Sequence, residues 1–371
     1  MLDAEYIRSG GFWENREAFV AGEWEGADPV VPDGSVLFRT SGSTGEPKWV
    51  VLGKDSLLIS ARAVNEWLGV GSNSEWGLAL PLNHVGGFGV VARAYSAGCG
   101  LVVFEGKWDA RRFTEWLESE GVTHVSLVPT QLHDLVQGGF RAPDCLKAVV
   151  VGGGRLGGGL GQAARDAAWP VLASYGMTEA CSQIATQELE LLDLSYVKSP
   201  LKTLPIWNVR RTEAGILEVQ GDALFSGTLE KREGEWAFKK HDPGWFATSD
   251  RVCVEGDCLI PEGRADSVVK IMGELVDVEA VEKRFLKMAT GRVREGGFAT
   301  VAVKDARREH VLVAVFEKNI EKAVECFDEY QRLAPGVERF DRHIVVDYFP
   351  RTSLGKLKRG ELAEICRSVD S

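Results

Sequence analysis

No apolar run in this 371-residue chain approaches the length of a bilayer span, so a membrane helix is not expected. The N-terminus, MLDAEYIRSGGFWENREAF, lacks the basic start, apolar stretch and cleavage pattern of a secretory signal, and a cytoplasmic location is the expectation. Long basic runs are missing too. With a formal net charge of -11 the chain has no electrostatic footprint for nucleic acid, and polyanion partners are not expected. The seven cysteines form no CxxC pair, and Cys253 and Cys258 have no histidine at zinc-ligand spacing. They read as buried or free thiols.

What is present is the material of a sizeable core: 44% hydrophobic and 26% charged residues, enough for two or more domains. Short apolar runs alternate with helical patterns. Strands are expected at 36–38, 49–52, 76–82, 100–104, 122–128, 146–151 and 171–174, and helices at 56–68, 85–97, 110–120, 130–136 and 161–168. That rhythm predicts an α/β fold of mostly parallel crossover units. From about residue 216 shorter β-like segments with glycine turns predict a separate β subregion. A further change follows Pro261-Glu262-Gly263 and divides the chain into 1–263 and 264–371. The second part carries helical patterns at 279–288 and 320–332, strand patterns at 299–303, 311–316 and 342–346, and a polar Gly/Lys-rich tail, an α+β mixture.

One loop stands out chemically. Thr40-Ser41-Gly42-Ser43-Thr44-Gly45-Glu46-Pro47-Lys48 places four hydroxyls and two glycines between strands, where backbone N–H groups, hydroxyls and the Lys48 ammonium can meet phosphate oxygens. It is not a Walker A loop, because the Gly42 to Lys48 spacing differs and β-like residues follow it where that motif needs a helix. Read alone, a flexible hairpin turn explains it equally well. Tyr175-Gly176-Met177-Thr178-Glu179 follows a strand, at the carboxyl end where open α/β sheets bind ligands. There Tyr175 can stack a base, Thr178 can reach phosphate, and Glu179 can hold Mg²⁺. Farther on come Trp245-Phe246-Ala247-Thr248-Ser249-Asp250, Gly263-Arg264-Ala265-Asp266 and Pro350-Arg351-Thr352-Ser353-Leu354-Gly355-Lys356.

In this order the segments resemble the superfamily of acyl-CoA synthetases, peptide-synthetase adenylation domains and luciferases, over roughly residues 36–365. The resemblance implies ATP, Mg²⁺ and coenzyme A as cofactors and a carboxylic acid as substrate. It implies that Thr40, Ser41, Gly42, Ser43, Thr44, Gly45 and Lys48 form a phosphate loop. Gly152, Gly153, Gly154, Tyr175, Gly176 and Met177 would border the adenine, Thr178 would contact phosphate, Glu179 would support the metal, and Asp250 and Arg264 would hold the ribose. Lys356 would be the catalytic lysine of adenylation. Part 264–371 becomes a mobile lid, Asp266 its hinge, and Lys270 and Gly273 lie near the entering coenzyme A. Attack of a carboxylate on the α-phosphate joins two anions, so positioning and charge neutralisation should dominate the barrier, and a lysine suits that task.

For the acid, Pro81-Leu82-Asn83-His84-Val85-Gly86-Gly87 matches the segment that lines the family's acyl pocket, with His84 at its gate and Gly87 beside it. Gly86, Gly89, Arg93 and Ser96 then fall on one helical face, which sets Arg93 along a stripe of small residues. Such a guanidinium can receive a second, unreacting carboxylate, although a structural ion pair is the ordinary role of such an arginine. The stretches 175–184 and 84–93 look most like o-succinylbenzoate:CoA ligases of menaquinone biosynthesis. In that likeness the benzoate carboxylate would need Arg93, and Ser182 and Gln183 would contact polar parts of the acid.

Departures from the pattern are Ser249 before the ribose aspartate, Gly273-Glu274-Leu275 after the hinge, and a shortened portion before the phosphate loop that a homodimer partner could cover. An aryl-CoA ligase, an enzyme loading a carrier protein, and an inactive nucleotide-binding protein stay open as alternatives. Joint retention of Lys356, Glu179 and Asp250 speaks against the last.

Overall fold

The computed structural model describes residues 3–25, 28–41, 47–196, 201–232, 235–293, 296–318, 323–352, 355 and 357–369. The chain divides into two compact units, one of Met1–Thr248 with Cys253–Ile260 and one of Ser249–Val252 with Pro261–Ser371.

The first unit is α/β. Strands Gly100–Val103, Glu75–Leu78, His124–Leu127, Ala148–Val151 and Val171–Tyr175 lie side by side, all parallel. His124–Leu127 and Ala148–Val151 are buried along their whole length, as strands covered on both faces must be. The connecting helices Val85–Ala97, Ala110–Ser119, Pro129–Gln137 and Gly158–Asp166 each carry an apolar face. Phe113, Leu117, Leu132, Leu135 and Trp169 join Val125, Val149 and Val171 in one core. The parallel run ends where Ala185–Thr186 pairs antiparallel with Val171–Tyr175. That pairing turns the chain back beside Glu179.

A second, five-stranded sheet runs Phe19–Ala21, Ser35–Ser41, Pro47–Gly53, Gly227–Arg232 and Glu235–Lys240. Its central pairing, Ser35–Ser41 against Pro47–Gly53, presents the hydroxyl-rich loop. The expected strands and helices of residues 36–174 therefore appear, with the strand at 76–82 shortened to Glu75–Leu78. The β segments after 216 are present but do not form a separate subregion: Ile216–Gln220 pairs with Asn208–Arg211 in the sheet that continues from the parallel strands, and Gly227–Arg232 pairs with Pro47–Gly53 in the second sheet.

In the second unit Phe298–Asp305, Glu309–Glu317 and Phe340–Val346 form a sheet with helices on both faces. Alternation decides which residue meets which layer. Phe298, Leu312, Ala314 and Phe316 meet Val281 and Phe285 of helix Val278–Met288, and Cys326 and Tyr330 of helix Ala323–Leu333. Ala299, Val301 and Val313 meet Leu362 and Cys366 of helix Arg359–Ser368. That last helix lies in the stretch expected to be a polar tail. Its buried residues are Leu362 and Cys366, one turn apart, with Ala363 and Ile365 partly buried beside them, and the second face of the sheet is what stabilises it.

Candidate active site

The strand pair places Thr40 opposite Lys48, and the Thr40 hydroxyl donates to the Lys48 carbonyl at 3.4 Å. Lys48 Nζ reaches Glu179 Oε1 at 3.0 Å. Gly42, Ser43, Thr44 and Gly45 lie outside the described residues, as does Lys356.

Glu179 stands on a short turn, Thr178–Ala180, just past strand Val171–Tyr175. The chain then doubles back. Ala180 and Ser182 N–H groups donate to the Met177 carbonyl at 3.2 and 3.1 Å, and Ile184 N–H to the Tyr175 carbonyl at 2.9 Å. This return passes so close to Gly176 that a Cβ there would lie 1.5 Å from the Ser182 carbonyl oxygen. Gly176 is thus required by backbone approach. Cys181 and Ser182 adopt φ of 50° and 97°, a region non-glycine residues rarely occupy. The turn over-determines them, with Ser60 Oγ donating to the Cys181 carbonyl at 3.0 Å. Phe225 N–H donates to the Glu179 carbonyl at 2.9 Å and fixes the turn from the other side.

Gly152, Gly153 and Gly154 follow strand Ala148–Val151, the neighbour of the Tyr175 strand, so both stretches emerge at the same sheet end. Gly153 has φ +72° and opens that corner. Tyr175 and Thr178 are half-buried there, with Met177 between them. Among the described residues no group of three or more histidine, cysteine, aspartate or glutamate side chains could cage a metal. A lone Glu179 carboxylate fits Mg²⁺, which typically takes one or two protein carboxylates and completes its shell with phosphates and water.

On the acid side, His84 precedes helix Val85–Ala97, and burial lowers its pKa, so it is neutral at pH 7. Gly87 has a packing reason for its identity: a Cβ would lie 2.3 Å from the Pro81 carbonyl oxygen. Arg93 is 2% exposed. Its Nη1 donates to Ser126 Oγ at 3.2 Å, and its guanidinium carbon lies 5.4 Å from the centre of the Trp76 ring. Burial pulls its pKa down to about 10. Among the described residues no carboxylate pairs with it. A Cβ on Gly89 would lie 3.5 Å from Arg93 Nη2 and 3.9 Å from Ser182 Cβ, so the two side chains flank one glycine-floored space. Gln183 faces elsewhere. Its amide donates to Ser174 Oγ at 3.0 Å and Thr186 Oγ1 at 2.7 Å, tying two strands together.

In the second unit Arg264 holds Asp266 with two hydrogen bonds, at 2.8 and 2.7 Å, and Asp250 at 3.3 Å. The Asp266 hydrogen bond raises the Arg264 pKa further, so Arg264 is a permanent cation beside the Asp250 carboxylate. Lys270 is exposed on strand Val268–Ile271. Gly273 follows Met272 in a two-residue turn to strand Glu274–Asp277, with φ of 53° and 85° in sequence. That geometry favours glycine at 273 independently of any ligand. Ser126 and Trp76, which hold Arg93, carry little signal in the sequence; a lone hydroxyl in the apolar strand 124–127 is the only mark.

A parallel α/β core whose carboxylate turn at the strands' carboxyl end meets Lys48, at the edge of the hydroxyl-rich segment, suits a nucleotide-dependent enzyme of the adenylating type. The sequence profile described as AMP-binding enzyme matches residues 14–224, more than half the chain, and the chain belongs to that family. The 2-succinylbenzoate--CoA ligase of Staphylococcus aureus strain MRSA252 is 30% identical over 340 residues, covering 88% of this chain and 66% of that protein. The 2-succinylbenzoate--CoA ligase of Enterococcus faecalis strain ATCC 700802 / V583 is 29% identical, covering 87% and 68%. The chain thus spans about two thirds of the length of the relatives it matches. Among solved structures, an E. coli MenE variant with bound OSB-AMS superposes with a TM-score of 0.73 at 27% identity, covering 92% of this chain and 72% of that one. The o-succinylbenzoate CoA synthetase (MenE) from Bacillus subtilis with OSB-AMP shares the fold, with a TM-score of 0.74 at 24% identity over 91% and 72%.

Proposed function

We propose that the chain is an AMP-forming acid:thiol ligase that adenylates o-succinylbenzoate and passes the acyl group to coenzyme A. The single observation that carries the choice of acid is Arg93: a buried cation with a hydroxyl and an indole for company and, among the described residues, no carboxylate partner. Burying an unpaired charge is costly, and a carboxylate on the substrate would offset that cost. The reacting carboxylate is then the aliphatic one, and the ring carboxylate is held by Arg93 and Ser182. The names of the Staphylococcus and Enterococcus relatives support this acid.

In the first half-reaction a carboxylate oxygen bonds to the α-phosphorus and pyrophosphate leaves. Thr40 to Lys48 and Thr178 bind the phosphates, Glu179 holds the Mg²⁺ that accompanies ATP, Tyr175 and Gly152 to Gly154 border the base, and Asp250 with Arg264 holds the ribose. Lys356 contacts both anions as charge redistributes. In the second, the coenzyme A sulfur bonds to the acyl carbon and AMP leaves. Residues 264–371 act as a lid hinged at Asp266, with Lys270 and Gly273 beside the thiol arm. The need for ATP and coenzyme A, both present in the cytoplasm, supports a cytoplasmic location.

The test is pyrophosphate release from ATP and Mg²⁺ with a panel of carboxylic acids, with and without coenzyme A. Preferential release with o-succinylbenzoate and formation of its thioester is the expected result. Release with a different acid alone keeps the reaction and overturns the acid; no release with any acid overturns the proposal.

A further inference from the structure

Arg93 is held at its backbone and at two sides of its guanidinium. Its backbone carbonyl accepts a hydrogen bond from the buried Asn65 Nδ2 at 2.9 Å, which anchors that point of helix Val85–Ala97. The Trp76 ring lies against the planar group. The Ser126 hydroxyl, 6% exposed in residue terms and at the interior of strand His124–Leu127, takes Nη1. Nη2 is the arm directed at Gly89, with Ser182 on the far side of the same glycine. Ser182 is itself held at a φ of 97°, outside the usual range for its residue type, by the hydrogen bonds of the turn that carries Glu179.

We infer that Ser126 is a positioning residue for acid recognition: by engaging Nη1 it rotates the guanidinium so that Nη2 faces the space between Gly89 and Ser182, where the unreacting carboxylate of the substrate binds. This rests on the reading of Arg93 given above. Arg93 supplies the charge; Ser126 supplies its direction. A guanidinium recognises a carboxylate best along one edge of its plane, so an arginine free to turn loses much of its selectivity. The hydroxyl of Ser126 is the hydrogen-bond partner of Nη1 among the described residues. The indole restrains the plane but not rotation within it.

The experiment compares o-succinylbenzoate with 4-oxo-4-phenylbutanoate, the same acid without the ring carboxylate, in pyrophosphate release by the full chain with ATP and Mg²⁺. Wild type, Ser126→Ala, Ser126→Thr and Arg93→Ala are measured together. The expected result is a preference for the dicarboxylate in wild type that falls about three- to tenfold in Ser126→Ala, the scale of one hydrogen bond. The loss should lie in KM for the dicarboxylate, with KM for ATP and the rate with the monoacid unchanged, and Ser126→Thr should restore the preference. A Ser126→Ala enzyme with undiminished preference, or one that loses both acids equally, overturns the inference. If Arg93→Ala keeps the wild-type preference, or wild type shows none, the reading of Arg93 fails and the inference falls with it. Melting temperatures of the variants separate a folding defect from a change in recognition.

Discussion

Lys48 Nζ lies 3.0 Å from Glu179 Oε1, joining the strand that leaves the hydroxyl-rich loop to the turn that leaves the parallel sheet. The two residues are 131 positions apart in sequence. The ammonium stands at the carboxylate proposed to hold Mg²⁺; were Glu179 to take the metal, its contact with Lys48 would be given up and the ammonium would be available to phosphate. Glu179→Gln keeps the shape and removes the charge. It should raise the Mg²⁺ concentration needed for half-maximal pyrophosphate release by about tenfold, the scale of a lost charged ligand contact. The melting temperature should barely move, because a partly exposed pair contributes about 1 kcal/mol or less. A large drop in melting temperature with unchanged Mg²⁺ dependence would make the pair structural.

Arg93→Ala should raise KM for o-succinylbenzoate by one to two orders of magnitude, about 2 kcal/mol for a charge-assisted pair, and leave KM for ATP close to wild type. The truncation also relieves the desolvated cation, so stability should hold or rise slightly. Steady-state kinetics in each substrate checks this, and equal effects on both would remove Arg93 from the acid pocket.

Lys356→Ala should abolish acyl-adenylate formation and leave thioester formation from supplied acyl-adenylate largely intact. The two half-reactions are measured separately, by pyrophosphate release and by thioester appearance. Loss of both would contradict a lysine dedicated to the first step.

His124 offers a pH test. It is 1% exposed, with Nε2 against the Leu68 carbonyl at 3.3 Å, and burial pulls its pKa from 6.5 down to about 4. In the unfolded chain the ring takes a proton near pH 6.5, while the folded chain resists it to about pH 4. The stability due to the neutral ring is therefore complete above pH 6.5 and is lost as pH falls through that window, by an amount on the order of 3 kcal/mol. His124→Gln should flatten the decline between those limits in chemical unfolding, at some cost to stability at neutral pH. An unchanged slope would remove His124 from the acid sensitivity.

Chain order and local pattern determined much by themselves. The alternation of apolar runs and helical faces in 75–175 determined parallel α/β units, because periods of 2 and 3.6 residues are written locally, whereas the strands expected at 36–38 and 49–52 pair antiparallel in the second sheet. The ordered motifs carried the adenylating family, because phosphate, metal and ribose recognition each need particular residue types at fixed places. Tertiary structure decided the rest. The helix Arg359–Ser368 exists because a two-sided sheet needs covering, which four apolar residues, two of them fully buried, in a charged stretch do not announce. Gly176 and Gly87 are glycines because the chain folds back on itself and backbone six residues away, at Ser182 and Pro81, passes within contact of them, and Gln183 serves the pairing of two strands. Lys48 meets Glu179, and Ser126 meets Arg93, only once the strands are assembled side by side. Residue type is a property of one position; the direction and partner of a buried charge are properties of the packing around it.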